Sequence, residues 1–319
     1  MIAQDDMSQV PLVSVLTPFY NTEAYLAESI ESVLKQTYQN WEYILVNNCS
    51  TDRSLEIANS YAQKDSRIRV HSNVRFAVNQ ACNYNGALRL ISPQSKYCKI
   101  VQADDWIFPD CLAEMVRVAE SHPSAGIVGS YRLDDVRVNC DGLPYPSTLV
   151  SGKEICRLSL LQNLFVFGSP TTVMFQSDIV RSRVPFYNEL SRHEDTEACY
   201  EILQAHDFGF VHKVLSFTRR ENESITTWLR LYDPSYLLDK YISILKYGKF
   251  YLNESEYKSC LENHRARYYR FIGERFWSKG RREFLEHHAE GLQHAGHHLH
   301  MPSVYKFAFI ALIGILLDV

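Results

Sequence analysis

The sequence predicts an α/β fold: a mostly parallel sheet flanked by helices, followed by a helical C-terminal extension. Three observations predict it. From Val13 onward, short β-branched runs alternate with amphipathic helical patterns, the signature of a parallel sheet with crossover helices. Past residue 226 or so the strand signal nearly disappears and helical periodicity takes over. The 319 residues are 46% hydrophobic and 22% charged, enough for a packed core and unlike a disordered chain, a collagen or a coiled-coil rod.

The elements follow in order. VSVLTPF reads as the first strand, and Leu26, Ile30, Val33 and Leu34 form one apolar stripe on a helix over 24–36. EYILV is a second strand ending at Asn47 and Asn48, and a helix over 53–64 leads to the strand RIRVH. A helical stretch over 77–91 precedes the strand YCKIVQ; Pro109 opens the next helix, with Leu112, Met115, Val116 and Ala119 inward. AGIVGSY is a strand, and residues 132–168 are irregular around one helix near 153–164. PTTVMF resumes the pattern, Asp195 to His206 reads as helix, and FGFVHKVLSF is the last strand. Helices are expected over 233–247, 256–279, 281–297 and 303–317. The expected organisation is a flexible N-terminus over 1–10, a main domain over 11–226 and the helical extension over 230–319.

Thirty-three Lys plus Arg against thirty-seven Asp plus Glu give a net charge of −4, which argues against a chain-wide nucleic-acid footprint. The eight cysteines show no C-x-x-C pair, so neither a zinc site nor a disulfide framework is expected, and a reducing, cytoplasmic setting is favoured. MIAQDDMSQV has no signal-peptide pattern, and the longest apolar run, Phe307 to Leu317, is too short to span a membrane.

In an open α/β sheet ligands sit beyond the carboxyl ends of parallel strands. Three polar clusters fall there: Thr17 to Asn21, Asn47 to Asp52, and Asp104-Asp105. Asp52 reads first as a helix cap. Adjacent carboxylates directly after an apolar strand repel each other, and a divalent cation carrying phosphate would remove that cost, so Asp104 and Asp105 point to metal or ribose binding.

The stretch PLVSVLTPFYNTEAYLAESIESVLKQTYQNWEYILVNNCSTDRS resembles the opening of the glycosyltransferase family 2 nucleotide-sugar domain. KYCKIVQADDWIFPDCL resembles that family's metal-binding segment and RHEDTEACYEIL its E-D segment, in family order and spacing. The resemblance implies a GT-A fold and an inverting transfer from a nucleotide-sugar, with a UDP-sugar expected, to a glycan or lipid-linked acceptor in surface polysaccharide biosynthesis. It implies Asp105 holding Mg2+ or Mn2+ on the donor diphosphate, with Asp104 on the ribose or sharing the metal. Asp195 would be the general base, with Glu194 the alternative, and Thr17, Pro18 and Tyr20 would line the base pocket. Two departures stand out. Asn47 and Asn48 replace a usual pair of aspartates, leaving Asn48 to accept from the base through its amide oxygen. Glu221 takes the place of a histidine after Arg219-Arg220, either of which would reach the diphosphate.

Seven basic residues between Arg265 and Arg282 face one acid, Glu274, and precede VYKFAFIALIGILL. That order suits an anionic membrane surface; a terminal helix packed on the core is the alternative. His287, His288, His294, His297, His298 and His300 read as surface residues, although His294 and His298 would share a helical face. Competing functions fare worse. A dinucleotide dehydrogenase needs G-x-G-x-x-G, absent here, and a nucleotidylyltransferase needs a glycine-rich loop where VLTPFYN has none. A non-catalytic fold relative, a binding or scaffolding subunit, stays open on the strength of Asn47-Asn48.

Overall fold

A computed structural model describes residues 10–145, 147–162, 164–191, 193–220, 232–233 and 236–317, with side chains as far as residue 313. Most of the N-terminus expected to be flexible, and the segment Glu221 to Ser224, lie outside the described residues.

The elements begin with β1 (Leu12–Phe19), α1 (Leu26–Leu34), β2 (Trp41–Asn47), α2 (Ser54–Ala62), β3 (Ile68–Ser72), α3 (Gln80–Leu88) and β4 (Ser95–Ile100). Next come β5 (Trp106–Ile107), α4 (Cys111–Ser121), β6 (Ala125–Asp134), β7 (Arg137–Asn139), β8 (Leu149–Val150) and α5 (Gly152–Gln162). Then follow β9 (Met174–Gln176), α6 (Ser177–Ser182), α7 (Glu194–Ile202) and β10 (Asp207–Thr218). The chain continues with α8 (Leu237–Tyr251), α9 (Glu254–Arg275), α10 (Arg281–His294) and α11 (Met301–Leu317). Two compact units result: Met1–Ile155 with Leu164–Glu189 and Glu194–Arg220, and Cys156–Asn163 with Leu190–His193 and Glu221–Val319.

In the first unit the strands run β3-β2-β1-β4-β9-β6-β10-β5, with β7 beside β6 and β8 beside β10. β1 pairs in parallel with both β2 and β4, and its residues from Val13 to Phe19 are all buried, as expected for a central strand covered on both faces. β6 and β10 are a second parallel pair, and short antiparallel β9 joins β4 to β6. Leu26, Ile30 and Val33 of α1 are fully buried in the core with Val13, Val15 and Phe19. Truncating either Leu26 or Ile30 to Ala would cost about 2–5 kcal/mol.

The second unit packs Leu238 and Tyr241 of α8, Tyr268, Tyr269 and Ile272 of α9, Phe284 and Leu292 of α10, and Val304 and Ala308 of α11 into its own core. α8 and α9 lie later and earlier, respectively, than periodicity alone places them. The reason is a capping box: Asn253 accepts from the Glu256 N–H while Glu256 reaches back to the Asn253 N–H, which fixes the start of α9. At Gly273 a Cβ would stand 2.5 Å from the Phe307 carbonyl carbon, so only glycine lets α9 and α11 approach so closely. The histidine expectation needs correcting. His287 and His288 are buried, His287 stacked on Tyr232 at 4.8 Å and His288 hydrogen-bonded to Tyr268, and α10 ends at His294, so His298 shares no helical face with it. Among the described residues no helix is long and apolar enough to cross a membrane.

Candidate active site

The strand order β3-β2-β1-β4 sends successive crossovers to opposite sides of β1, and the crevice at such a switch is where α/β sheets bind ligands. The loops that follow β1 and β2 are knitted together there. Asn21 Oδ1 accepts from the Thr51 N–H (2.8 Å), and the Thr22 N–H donates to Ser54 Oγ (2.8 Å). Asp52 accepts from Glu23 and Ser54 N–H groups, so it caps and braces as its sequence context suggests. Asn21 and Cys49 both adopt left-handed backbone, φ 50 and 59, in these loops. Left-handed non-glycine residues cost about 1–3 kcal/mol each and persist where the surroundings impose them.

The loop after β4 carries the adjacent aspartates, and the structure separates their roles. Asp105 is 2% exposed. Its carboxylate accepts from Thr171 Oγ1 (2.7 Å), Thr218 Oγ1 (3.1 Å) and the Arg219 N–H (3.3 Å). Burial, and then the charge of Asp104, push Asp105 up to about 7 despite the two threonine hydroxyls. Beneath it, fully buried Lys99 donates to the carbonyls of Thr171 (2.6 Å) and Val173 (3.2 Å), fixing the segment that presents Thr171. Asp105 therefore ties the β4 loop to the end of β10, and its oxygens are already taken by donors from the protein. In this arrangement Asp105 serves as a brace, where its sequence context points to a metal ligand. Asp104 is half-buried and adjoins Arg219, whose Nε donates to the Asp104 carbonyl (3.4 Å). Among the described residues no group of three or more His, Cys, Asp or Glu side chains is arranged to hold a metal. One reachable carboxylate suits Mg2+ or Mn2+, which commonly take one or two carboxylates and complete their shell with water and substrate phosphate.

Arg219 also pairs with Glu28 (2.5 Å) and lies 4.8 Å over the Tyr25 ring. Arg220 is turned elsewhere: its guanidinium donates to Asp134 Oδ2 (2.7 and 3.1 Å), in a cluster with buried Arg132. Of the two arginines, only Arg219 adjoins the paired aspartates. Glu194 and Asp195 open α7, Glu194 buried and Asp195 half-exposed, with Asp195 Oδ1 accepting from the Thr196 N–H (2.7 Å). Glu194 bears on two neighbouring buried phenols, Asp104 and Asp105 on one of them and Asp195 on the other. Burial, then Glu194, Asp104 and Asp105, raise Tyr84 well above the usual tyrosine range; burial and Asp195 do the same to Tyr187, 6.0 Å away ring to ring. Acidic groups from the loop after β4 and from α7, far apart in sequence, thus bear on one buried tyrosine pair.

The expected base pocket is only partly assembled as expected. Tyr20 is 45% exposed and meets the half-exposed ring of Phe76 edge to face at 4.9 Å, an open aromatic surface beside the rim. Pro18 is buried. Thr17 is fully buried, its hydroxyl engaged by Tyr43 and the Val101 carbonyl (2.8 Å each), so it staples β1 to its neighbours and corrects the expectation that it lines a pocket. Asn48 is likewise engaged within the protein. Its Oδ1 accepts from the Ala77 N–H (2.8 Å) and Asn73 Nδ2 (3.0 Å), and its Nδ2 donates to the Ala77 carbonyl (3.1 Å). Both ends of the amide are spent on pinning the loop over 73–77, a task a carboxylate cannot do because it has no hydrogen to give Ala77.

The profile of the glycosyl transferase family 2 matches residues 14–182, more than half of the chain. The chain belongs to glycosyl transferase family 2. Its relatives include the glycosyltransferase GlyG of Streptococcus pneumoniae serotype 4, 34% identical over 46% of this chain and 46% of GlyG, so the match spans about half of that protein. An uncharacterized glycosyltransferase of Haemophilus influenzae is 29% identical over 68% of this chain and 83% of its own length. Among solved structures, Staphylococcus aureus TarS 1-349 in complex with UDP-GlcNAc aligns at TM-score 0.62 and 20% identity, covering 88% of this chain and 79% of that one. The mannosyltransferase PcManGT from Pyrobaculum calidifontis, in complex with GDP-Man and Mn2+, aligns at 0.58 and 17%, covering 95% and 80%. The shared fold is GT-A.

Within this family 2 domain, sequence reasoning missed Lys99, Thr171, Thr218 and Tyr84. One signal was available: a lysine inside the apolar strand YCKIVQ has to find buried acceptors, and here they hold the Asp105 partner in place.

Proposed function

We propose that this chain transfers a sugar, with inversion, from a nucleotide-sugar to a hydroxyl of a glycan or lipid-linked acceptor, in surface polysaccharide biosynthesis. The observation that carries this reading is that Asp104, with Arg219 against its carbonyl, and Glu194 and Asp195 of α7 bear on one buried tyrosine pair, Tyr84 and Tyr187. Tyr20 and Phe76 offer the donor base a stacking surface, and a UDP-sugar is the first donor to test. Asp104 would hold the Mg2+ or Mn2+, which when bound supplies positive charge to the departing diphosphate. Arg219 exchanges Glu28 for a diphosphate oxygen. Asp195, more exposed than Glu194, takes the acceptor hydroxyl proton as that oxygen bonds to the anomeric carbon and the bond to the diphosphate breaks. Asp105, held by Thr171 and Thr218, positions the loop and stays off the metal.

The reading extends to location. All eight cysteines are free, in keeping with a cytoplasmic protein. α11 buries Val304 and Ala308 but exposes Tyr305, Phe309, Ile310 and Ile313, so the packed and the membrane-facing alternatives occupy opposite sides of one helix. With the basic residues of α9 and α10, that exposed side suits the anionic inner face of a cell membrane.

A thermal-shift panel of nucleoside diphosphates and nucleotide-sugars with and without Mn2+ tests the donor reading. A Mn2+-dependent rise in melting temperature with at least one nucleotide, lost in Asp104→Asn, is expected. No shift with any of them would leave a non-catalytic binding protein as the better account.

A further inference from the structure

The second unit contains a cavity of about 380 Å³ that the proposed transfer does not use. Leu160 and Leu161 of α5, Lys240 of α8, and Ser255, Ser259 and Arg267 of α9 are among its lining residues. Its charge balance is unusual. Among the described residues the largely buried ammonium of Lys240 meets one acceptor, the Ser159 carbonyl, and no carboxylate. Arg267 likewise pairs with no carboxylate among them. The cavity's own acid, Glu256, is spent: Arg157 Nε donates to it at 3.0 Å, and it also completes the α9 capping box. His264 adds no negative charge, since burial and the nearby Lys240 and Arg267 lower its proton affinity while its Nε2 contacts the Leu237 carbonyl (2.9 Å). Ser255, Ser259, Asn263 and Arg267 are exposed, so the cavity opens to solvent, and an anion entering it would meet an ammonium that has one protein acceptor and no counter-charge.

We propose that this cavity binds a phosphate group, Lys240 and Arg267 supplying charge and Ser255, Ser259 and Asn263 supplying neutral donors. Two cations of different shape beside several neutral donors match an anion with three or four oxygens better than a two-oxygen carboxylate. The volume admits a phosphate carried on a sugar or polyol as well as the free ion, and a phospholipid headgroup has the same chemistry. The site belongs to the helical unit alone and stands independently of the donor reading.

Calorimetric titration of the full chain with inorganic phosphate, free of divalent metal, tests it. Phosphate should bind, and Lys240→Met and Arg267→Gln should each weaken it at least about tenfold, while Arg219→Gln, at the donor rim, leaves it unchanged. In a second arm the chain is floated with phosphatidylglycerol or with phosphatidylcholine vesicles. Phosphatidylglycerol binding that Lys240→Met abolishes, in a protein that ignores free phosphate, assigns the site to a headgroup. Should Lys240→Met not fold, Ser259→Glu, which sets a carboxylate on the cavity wall, takes its place. The proposal is overturned if neither probe binds, or if binding survives the cavity substitutions or is lost in Arg219→Gln.

Discussion

The two units bury charge of opposite sign. In the sheet unit Asp105 is pushed up to about 7 by burial and by Asp104; in the helical unit burial pulls Lys240 down to about 8. Desolvation drives both toward neutrality, but the settings differ. Asp105 receives three donors, which make its charge tolerable and turn it into a brace. Lys240 meets one acceptor and faces open volume. A saturated buried charge organises its neighbours, whereas an undersaturated one invites a ligand. The paired aspartates differ in burial as well, Asp105 being buried and Asp104 half-buried.

The sharpest way to break this contrast is to exchange the aspartate roles. Asp104→Asn should abolish metal-dependent donor binding and lower kcat/KM by on the order of 10³-fold, since a bound metal supplies several kcal/mol of charge stabilisation. Asp105→Asn should spare much of that binding while lowering the melting temperature. The reverse outcome would return the metal to Asp105. Next in size is the base. Asp195→Asn should slow turnover by roughly 10²-fold or more with donor affinity little changed, and Glu194→Gln should not; the opposite pattern would shift the base by one residue.

The charge contrast also predicts a pH dependence. Between about 8 and 10.5 the unfolded chain binds more protons at Lys240 than the folded chain does, so its contribution to stability increases as pH rises through that window. Glu256, His264, Cys260 and Arg267 line the same cavity, and Arg157 pairs with Glu256. Comparing melting temperatures of wild type and Lys240→Met at pH 7 and 9.5 isolates the effect: Lys240→Met should gain less on going to the higher pH. Equal gains would mean that Lys240 titrates as if in water.

Two smaller effects sharpen other parts of the comparison. Phe309→Ser with Ile313→Ser should release the protein from anionic vesicles without lowering its melting temperature, whereas Ala308→Asp, on the packed side of α11, should unfold the helical unit. Asn48→Asp should destabilise by about 1–2 kcal/mol, because the Ala77 carbonyl loses its donor and faces a carboxylate oxygen. Tighter uracil-nucleotide binding in that variant would instead restore the amide's expected role at the base.

The central strands were legible because their apolar runs are long and β-branched: VSVLTPF and EYILV lie inside β1 and β2. Two-residue strands such as β5 and β8 carry no period and exist only because β10 offers them an edge. The site was legible as residue types at strand ends but not as roles. Nothing local in Asp104-Asp105 tells which carboxylate Thr171 and Thr218 will claim from 66 and 113 positions away. His287 and His288 were misread for the same reason, since their partners, Tyr232 and Tyr268, come from other segments of the fold.

The central claim is that accessible Asp104 and Asp195 make this rim a transferase centre. Release of nucleoside diphosphate from a panel of nucleotide-sugars, with Mn2+ and with a chelator, measured for wild type, Asp104→Asn, Asp195→Asn and Asp105→Asn, tests it most directly. The account predicts Mn2+-dependent release from at least one donor in wild type, loss in Asp104→Asn and Asp195→Asn, and a residual rate in Asp105→Asn that still needs Mn2+. Release that ignores the chelator and survives Asp104→Asn would contradict it.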